Sequence, residues 1–383
     1  MVRASTAPDL TKDGSTALER AARNKLMLGL FLPLQQGAWS PSTAPRGTDW
    51  GFEYNAECAV RAEELGFDLV FGLAHWLGKG GFGGKMEFRE NTTDPLLITS
   101  ALAPLTKNVL LVSTIHILYR WHPVMLAKFA STIDHMSKGR WGLNMVTGFR
   151  PVESKMFGMD QIEHDLRYKM AEEFTDMMVK LWEGTEELSY DGRFYKTQRG
   201  WIAPKPVNGR CVIVNAGSSG AGLEYAAKYS DLLFITSPAG HDAAKSVEAL
   251  PAHNAKIKAM GKKFNRDLKT IINPHVICRE TEKEARAQMQ SIIDHQDKEA
   301  TDNYYATFAT GDQASWKNTN RDDWVVGGNV HLVGSPEQIV DWMVKLSSAG
   351  CDGVQINFYD YLPDLEFFGK RVLPLMKQAG LRC

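Results

Sequence analysis

Asn144 stands inside an apolar run, in the stretch GRWGLNMVTGFR from Gly139 to Arg150. A buried carboxamide must find hydrogen-bond partners or costs about 1–3 kcal/mol. Asn144 therefore either ties strands together or faces something polar that the fold holds. Ser218-Ser219-Gly220 follows another apolar run and opens a helical one. Exposed amides at a helix N-terminus, joined by two hydroxyls, make a phosphate cradle; Ser219 as a plain N-cap needs no ligand at all. His164 and Tyr168 lie four residues apart on one helix face, where they offer donors to a phosphate or simply cap and pack. Trp39, Trp76, Tyr119 and Trp121 have the bulk to exclude water and stack on an aromatic substrate, or equally to fill a core.

Other chemistries find little support. His75, His116 and His122 do not have metal-ligand spacing, and the acidic residues show no paired ligand pattern, so no metal is expected. There is no G-x-S-x-G. The glycine-rich stretch Gly78 to Arg89 (GKGGFGGKMEFR) departs from a phosphate loop: Lys79 does not fit the glycine spacing, and Met86 follows Lys85 where Ser or Thr is required. It reads instead as a mobile loop at a strand's carboxyl end, a lid over a site.

These residues need a scaffold. The chain has 383 residues, 44% hydrophobic and 23% charged, with 33 glycines, which suits an ordinary globular enzyme. A formal net charge of −1 gives no electrostatic case for nucleic acid or an anionic membrane. No apolar run approaches the roughly 20 residues that span a bilayer. Five scattered cysteines suit a reducing cytoplasm, and residues 1–25 read as a soluble N-terminal arm with no signal-peptide core.

From Leu26 onward, apolar runs alternate with helical periodicity. Strands are expected at Leu26–Leu34, Phe67–Leu73, Val109–Ile115, Arg140–Thr147, Cys211–Asn215, Asp231–Thr236, Lys269–Cys278 and Gly353–Phe358. Helices are expected at Tyr54–Leu65, Thr93–Leu105, Pro123–Met136, His164–Trp182, Gly222–Tyr229, Asp242–Met260, Glu282–His295, Ser335–Ala349 and Phe367–Ala379. A short hairpin turns at Asp191-Gly192, and polar residues 297–328 form a long insertion. Eight strands separated by helices point to an α/β fold, a (β/α)8 TIM barrel with insertions over residues 26–383. A doubly wound sheet would want its glycine fingerprint after the first strand, where the chain has Pro33-Leu34-Gln35-Gln36. A barrel puts chemistry at the strands' carboxyl ends, where Thr114, Asn144, Thr147 and Ser218-Ser219 fall.

Taken together, TIDHMSKGR, GRWGLNMVTG, HDLRYKMAEEF, NAGSSGAG and FFGKRVLPLM resemble the bacterial luciferase-like flavin monooxygenases, from about Leu26 to Met376. GFGGKMEF with NMVTGF is most similar to the group of pyrimidine and dimethylsulfone monooxygenases. The resemblance implies reduced FMN from a separate NAD(P)H:flavin reductase, with O2 as co-substrate. It matches Asn144 to an Asn beside the flavin ring and Thr114 to a Thr near flavin N5. In that group the pair lines an oxygen pocket and favours a flavin-N5 adduct over the C4a-peroxide. Thr147 and Gly148 match the loop beneath the ring; Tyr168, Ser218 and Ser219, with Gly217 of the same turn, match phosphate contacts. Two departures point away from a pyrimidine substrate. The segment after Thr114, with His116 and Tyr119, is more aromatic, and His75-Trp76 replace an amine-bearing side chain. Trp39, His75, Trp76, His116 and Tyr119 are thus the candidate substrate contacts. The expected activity is oxidative cleavage of a C–N, C–S or C–halogen bond in a small substrate, by a homo-oligomer (dimer or tetramer) without nucleic-acid or membrane partners. A deazaflavin-dependent oxidoreductase on the same barrel and a non-catalytic flavin-binding protein are the rivals.

Overall fold

Eight short strands, nearly all of their residues buried, pair in parallel and close into a barrel. They are β1 (Met27–Phe31), β2 (Leu69–Gly72), β3 (Leu110–His116), β4 (Trp141–Val146), β5 (Val212–Asn215), β6 (Leu232–Ile235), β7 (Lys269–Ile272) and β8 (Gly353–Ile356). The order around the barrel is β1-β8-β7-β6-β5-β4-β3-β2. With helices covering the outside, both faces of the strands are buried, and their runs are apolar instead of alternating. The structure is a computed structural model and describes residues 3–309 and 319–383.

The register of β3 on β4 sets Thr114 directly opposite Asn144. At the mouth of the barrel, Phe31, Phe71 and Phe234 converge from β1, β2 and β6, with ring centroids 4.5 to 5.6 Å apart. They form an apolar floor on which polar groups from the loops can stand.

Several expected elements change on folding. The expected strand Lys269–Cys278 is two strands: β7 ends at Ile272, and Pro274–Cys278 leaves the barrel to pair with Val330–Gly334 in a separate two-stranded sheet. Pro274 has no N–H to give to a barrel ladder, so the chain changes partner there. Val330–Gly334 is a strand that the sequence pattern does not reveal. Arg140 precedes β4; its guanidinium donates to the carbonyls of Ala103, Thr106 and Val109, tying the start of that strand to the segment between helix Pro95–Leu102 and β3. The Asp191-Gly192 hairpin pairs Leu188–Asp191 with Lys196–Gly200 through a four-residue connection, not a two-residue one. The expected closing helix is two, Tyr361–Arg371 and Leu373–Gln378, because Pro374 cannot continue the first.

The arm is not loose. Thr16 and Glu19 cap a helix, Ala17–Ala22, whose Ala17 and Ala21 sit in the main hydrophobic core. The 297–328 insertion contains helices Lys298–Ala309 and Asp323–Val326; residues 310–318 lie outside the described residues. The glycine-rich loop packs on this insertion through Phe82, Phe88, Tyr304 and Trp324. Among the described residues, no helix is long and apolar enough to cross a membrane.

Candidate active site

A cavity of about 260 Å³ opens at the carboxyl ends of the strands. Thr114, from β3, and Asn144, from β4, are both 1% exposed and line it. Asn144 Nδ2 donates to Thr114 Oγ1 at 2.9 Å, while Asn144 Oδ1 has no hydrogen-bond partner among the described residues. Since the Thr114 oxygen already accepts, its hydroxyl hydrogen remains available to a ligand. Asn144 thus both ties strands and keeps one polar atom at the cavity.

The turn after β5 forms the opposite wall. Asn215 donates from Nδ2 to the Met145 carbonyl at 2.7 Å and accepts from the Gly217 amide at 2.7 Å, which pins this turn to β4. Ser219 is the N-cap of helix Gly220–Tyr229, its hydroxyl accepting from the Gly222 amide at 3.1 Å. The Tyr168 hydroxyl lies against Gly217 and Gly222; a Cβ at Gly222 would stand 2.7 Å from it. Only glycines allow the turn, the helix start and the tyrosine to meet here. Burial raises the Tyr168 pKa above its usual value, against the opposing pull of Ser219, Arg167 and Thr147. Gly217, Ser218, Ser219, Thr147, His164, Arg167 and Tyr168 all line the cavity. The result is a donor-rich cradle at a helix N-terminus, where free backbone amides can hold an anion.

Of the candidate substrate contacts, Trp39, His75 and His116 line the cavity and Trp76 and Tyr119 do not. Trp76 is 38% exposed and meets Phe157 edge-on. Tyr119 stacks behind His116 and donates to Glu153 Oε2 at 3.1 Å. Both follow strand ends, but the backbone turns their rings outward or back. Tyr119 also packs against Gly148 (φ 73°), where any Cβ would collide with its hydroxyl. Trp121 packs on Phe129, also away from the cavity.

Arg89 and Arg150 also line the cavity, and Glu153 pairs with Arg150 behind it; the sequence pattern left all three unmarked. The one available signal was R-x-x-E at 150–153, where Arg150 precedes a short helix containing Glu153. His75 lies between the two arginines, its Nε2 3.2 Å from Arg89 Nη1 and its Nδ1 2.8 Å from Arg150 Nη2. Burial and these cations hold its pKa well below the usual histidine value. His116 is pushed down to about 4, mainly by burial; Glu153, 3.7 Å away, opposes this without overcoming it, so both imidazoles are neutral at pH 7. Tyr304, Phe308 and Trp324 of the insertion close the cavity from above.

A family model described as luciferase-like monooxygenase matches residues 27–353. The chain belongs to the luciferase-like monooxygenase family. It is 30% identical over 362 residues to an FMNH(2)-dependent dimethylsulfone monooxygenase of Pseudomonas fluorescens, covering 92% of this chain and 95% of the relative. It is 32% identical over 359 residues to the pyrimidine monooxygenase RutA of Rhizobium rhizogenes, covering 91% and 96%. Among solved structures, a long-chain alkane monooxygenase (LadA) superposes with a TM-score of 0.81 at 24% identity, over 94% of this chain and 92% of that one. A riboflavin lyase (RcaE) superposes with a TM-score of 0.82 at 22% identity, over the same shares. The structural likeness shows a shared barrel; of the two sequence relatives, the dimethylsulfone monooxygenase is named for reduced FMN.

Proposed function

We propose that this luciferase-like protein is the oxygenase of a two-component system. It takes reduced FMN from a separate NAD(P)H:flavin reductase and, with O2, cleaves a carbon–heteroatom bond (C–N, C–S or C–halogen) in a small aromatic substrate. The observation that carries this reading is the Thr114–Asn144 pair at one wall of a cavity whose other wall is the Gly217–Ser219 cradle.

The residues present fit FMN. Ser218, Ser219, Tyr168 and the amides opening helix Gly220–Tyr229 would hold its phosphate, and the apolar floor would carry its ring. Reduced FMN, when bound, supplies the electrons that activate O2. This chain's own residues bind, orient and exclude. Thr114 and Asn144 offer neutral polar groups on rigid strands, which orient oxygen without placing a formal charge beside it. Trp39, Tyr304, Phe308 and Trp324 keep bulk water from the reacting atoms. An exposed apolar stripe, Met125, Phe129 and Met136 on helix Pro123–Met136, supports a homo-oligomer.

The test is oxygen uptake with purified protein, reduced FMN and a panel of aromatic amides, sulfones and halides. Turnover of one class with incorporation of ¹⁸O from labelled O2 is the expected result. A bound cofactor whose visible spectrum is that of a deazaflavin, or uptake that yields peroxide alone with every class, would sink the reading.

A further inference from the structure

Among the described residues, three arginines line the cavity and no aspartate or glutamate does. Arg167 stands beside the phosphate cradle, next to Tyr168 in the same helix. Arg89 and Arg150 stand on the β2 and β4 side, 1% and 4% exposed. Their partners leave charge over. Arg150 pairs with Glu153 at 2.7 Å, but its Nε and Nη1 have no hydrogen-bond partner among the described residues. Arg89 donates to the Ala38 carbonyl and to Tyr304 Oη, and lies over the rings of Trp39, Phe88 and Tyr304. Its contacts are neutral groups. Among the described residues, two guanidinium groups against one carboxylate leave a net buried positive charge at the cavity wall.

The donors are in excess as well. His75 presents each ring nitrogen to an arginine. A neutral imidazole can accept at only one of them and carries its proton on the other, facing a second donor. Such an arrangement is short of an acceptor, and a buried cation without a counter-charge is costly unless something supplies one. We propose that Arg89, Arg150 and His75 form a subsite for an anionic group of the substrate, a carboxylate or sulfonate carried on an aromatic ring. Arg89's position over three aromatic rings puts the charge beside the apolar wall on which such a ring would lie. The proposal rests on the function above only in that the same cavity also takes FMN.

The FMN-loaded full-length protein is titrated with benzoate and benzenesulfonate, and with their neutral counterparts benzamide and benzenesulfonamide, following the visible absorption of FMN. The same four probes are titrated calorimetrically without FMN. Each anion is expected to bind at least about tenfold tighter than its amide, as a charge-assisted contact in a dry site requires. Arg150→Gln and Arg89→Gln should cut that preference to under about threefold while FMN affinity changes by less than about threefold; Arg150→Lys should keep the preference. Equal binding of anions and amides by the parent protein overturns the proposal, and this comparison decides it even if the glutamine variants do not fold. Loss of FMN affinity in the glutamine variants with the anion preference intact also overturns it, since the charge then serves the cofactor. A parent protein that binds no FMN sinks the proposed function instead, and the calorimetric arm still decides the subsite.

Discussion

Side chain by side chain, the site separates neutral from charged work. The Asn144–Thr114 hydrogen bond fixes the orientation of two groups that carry no charge. Asn144→Ala should leave FMN binding almost unchanged and lower product formed per reduced FMN, the remainder appearing as hydrogen peroxide in a peroxidase assay. Thr114→Glu should be worse, because a carboxylate fills the pocket and repels developing negative charge; each roughly 1.4 kcal/mol of repulsion is tenfold in rate. Parent-like turnover by Thr114→Glu would remove this pair from the oxygen chemistry. The phosphate assignment is checked at the other wall. Ser219→Ala combined with Tyr168→Phe should weaken FMN about tenfold to a hundredfold, a loss of roughly 1.5–3 kcal/mol. Riboflavin, which lacks the phosphate, should be far less affected, and equal losses measured by fluorescence quenching would refute the cradle.

The elements around the site are coupled through an aromatic cluster. The glycine-rich loop does not stand alone: Phe82 and Phe88 meet Tyr304 at centroid distances of 5.1 and 5.3 Å, and Trp324 meets Tyr304 at 5.0 Å. The Gly78–Arg89 loop and helix Lys298–Ala309 should therefore open and close as one unit. In hydrogen-exchange measurements, FMN with a bound benzoate probe should protect both segments together. Protection of one without the other would show that the aromatic cluster does not join them. Trp324→Ala should raise exchange in both, since it removes the ring that Tyr304 and Phe308 rest on.

For the molecule as a whole, buried histidines set an acid limit. His116 is pushed down to about 4 and His275 to about 3, in each case mainly by burial. An unfolded histidine takes up its proton near pH 6.5. Between these values the unfolded chain binds more protons than the native one, so stability is full above about pH 6.5 and falls as pH drops towards 4. Each such histidine contributes a slope of up to about 1.4 kcal/mol per pH unit. Denaturant midpoints should fall steadily from pH 7 to pH 4.5, and His275→Asn should flatten the slope relative to its own stability at pH 7. A flat parent profile over that range would contradict the burial of these rings.

What the sequence determined by itself was the order of elements and the strand ends on which chemistry would fall. Apolar runs buried on both faces, separated by capped helices, suffice for a parallel barrel, because short-range periodicity encodes it. Thr114, Asn144, Ser219 and Tyr168 were legible for the same reason: they occupy strand ends and helix starts, whose positions are local. The partner exchange at Pro274 and the strand Val330–Gly334 were not, since strand pairing depends on residues more than fifty positions apart. Side-chain direction in loops was equally out of reach. Trp76 and Tyr119 lie near strand ends as His75 and His116 do, yet only the histidines line the cavity. The tertiary structure alone brought Arg89 from the glycine-rich loop, Arg150 from the β4 loop and Tyr304 from the insertion around His75. Their meeting depends on loop packing over the finished barrel, and no local pattern in the chain records it.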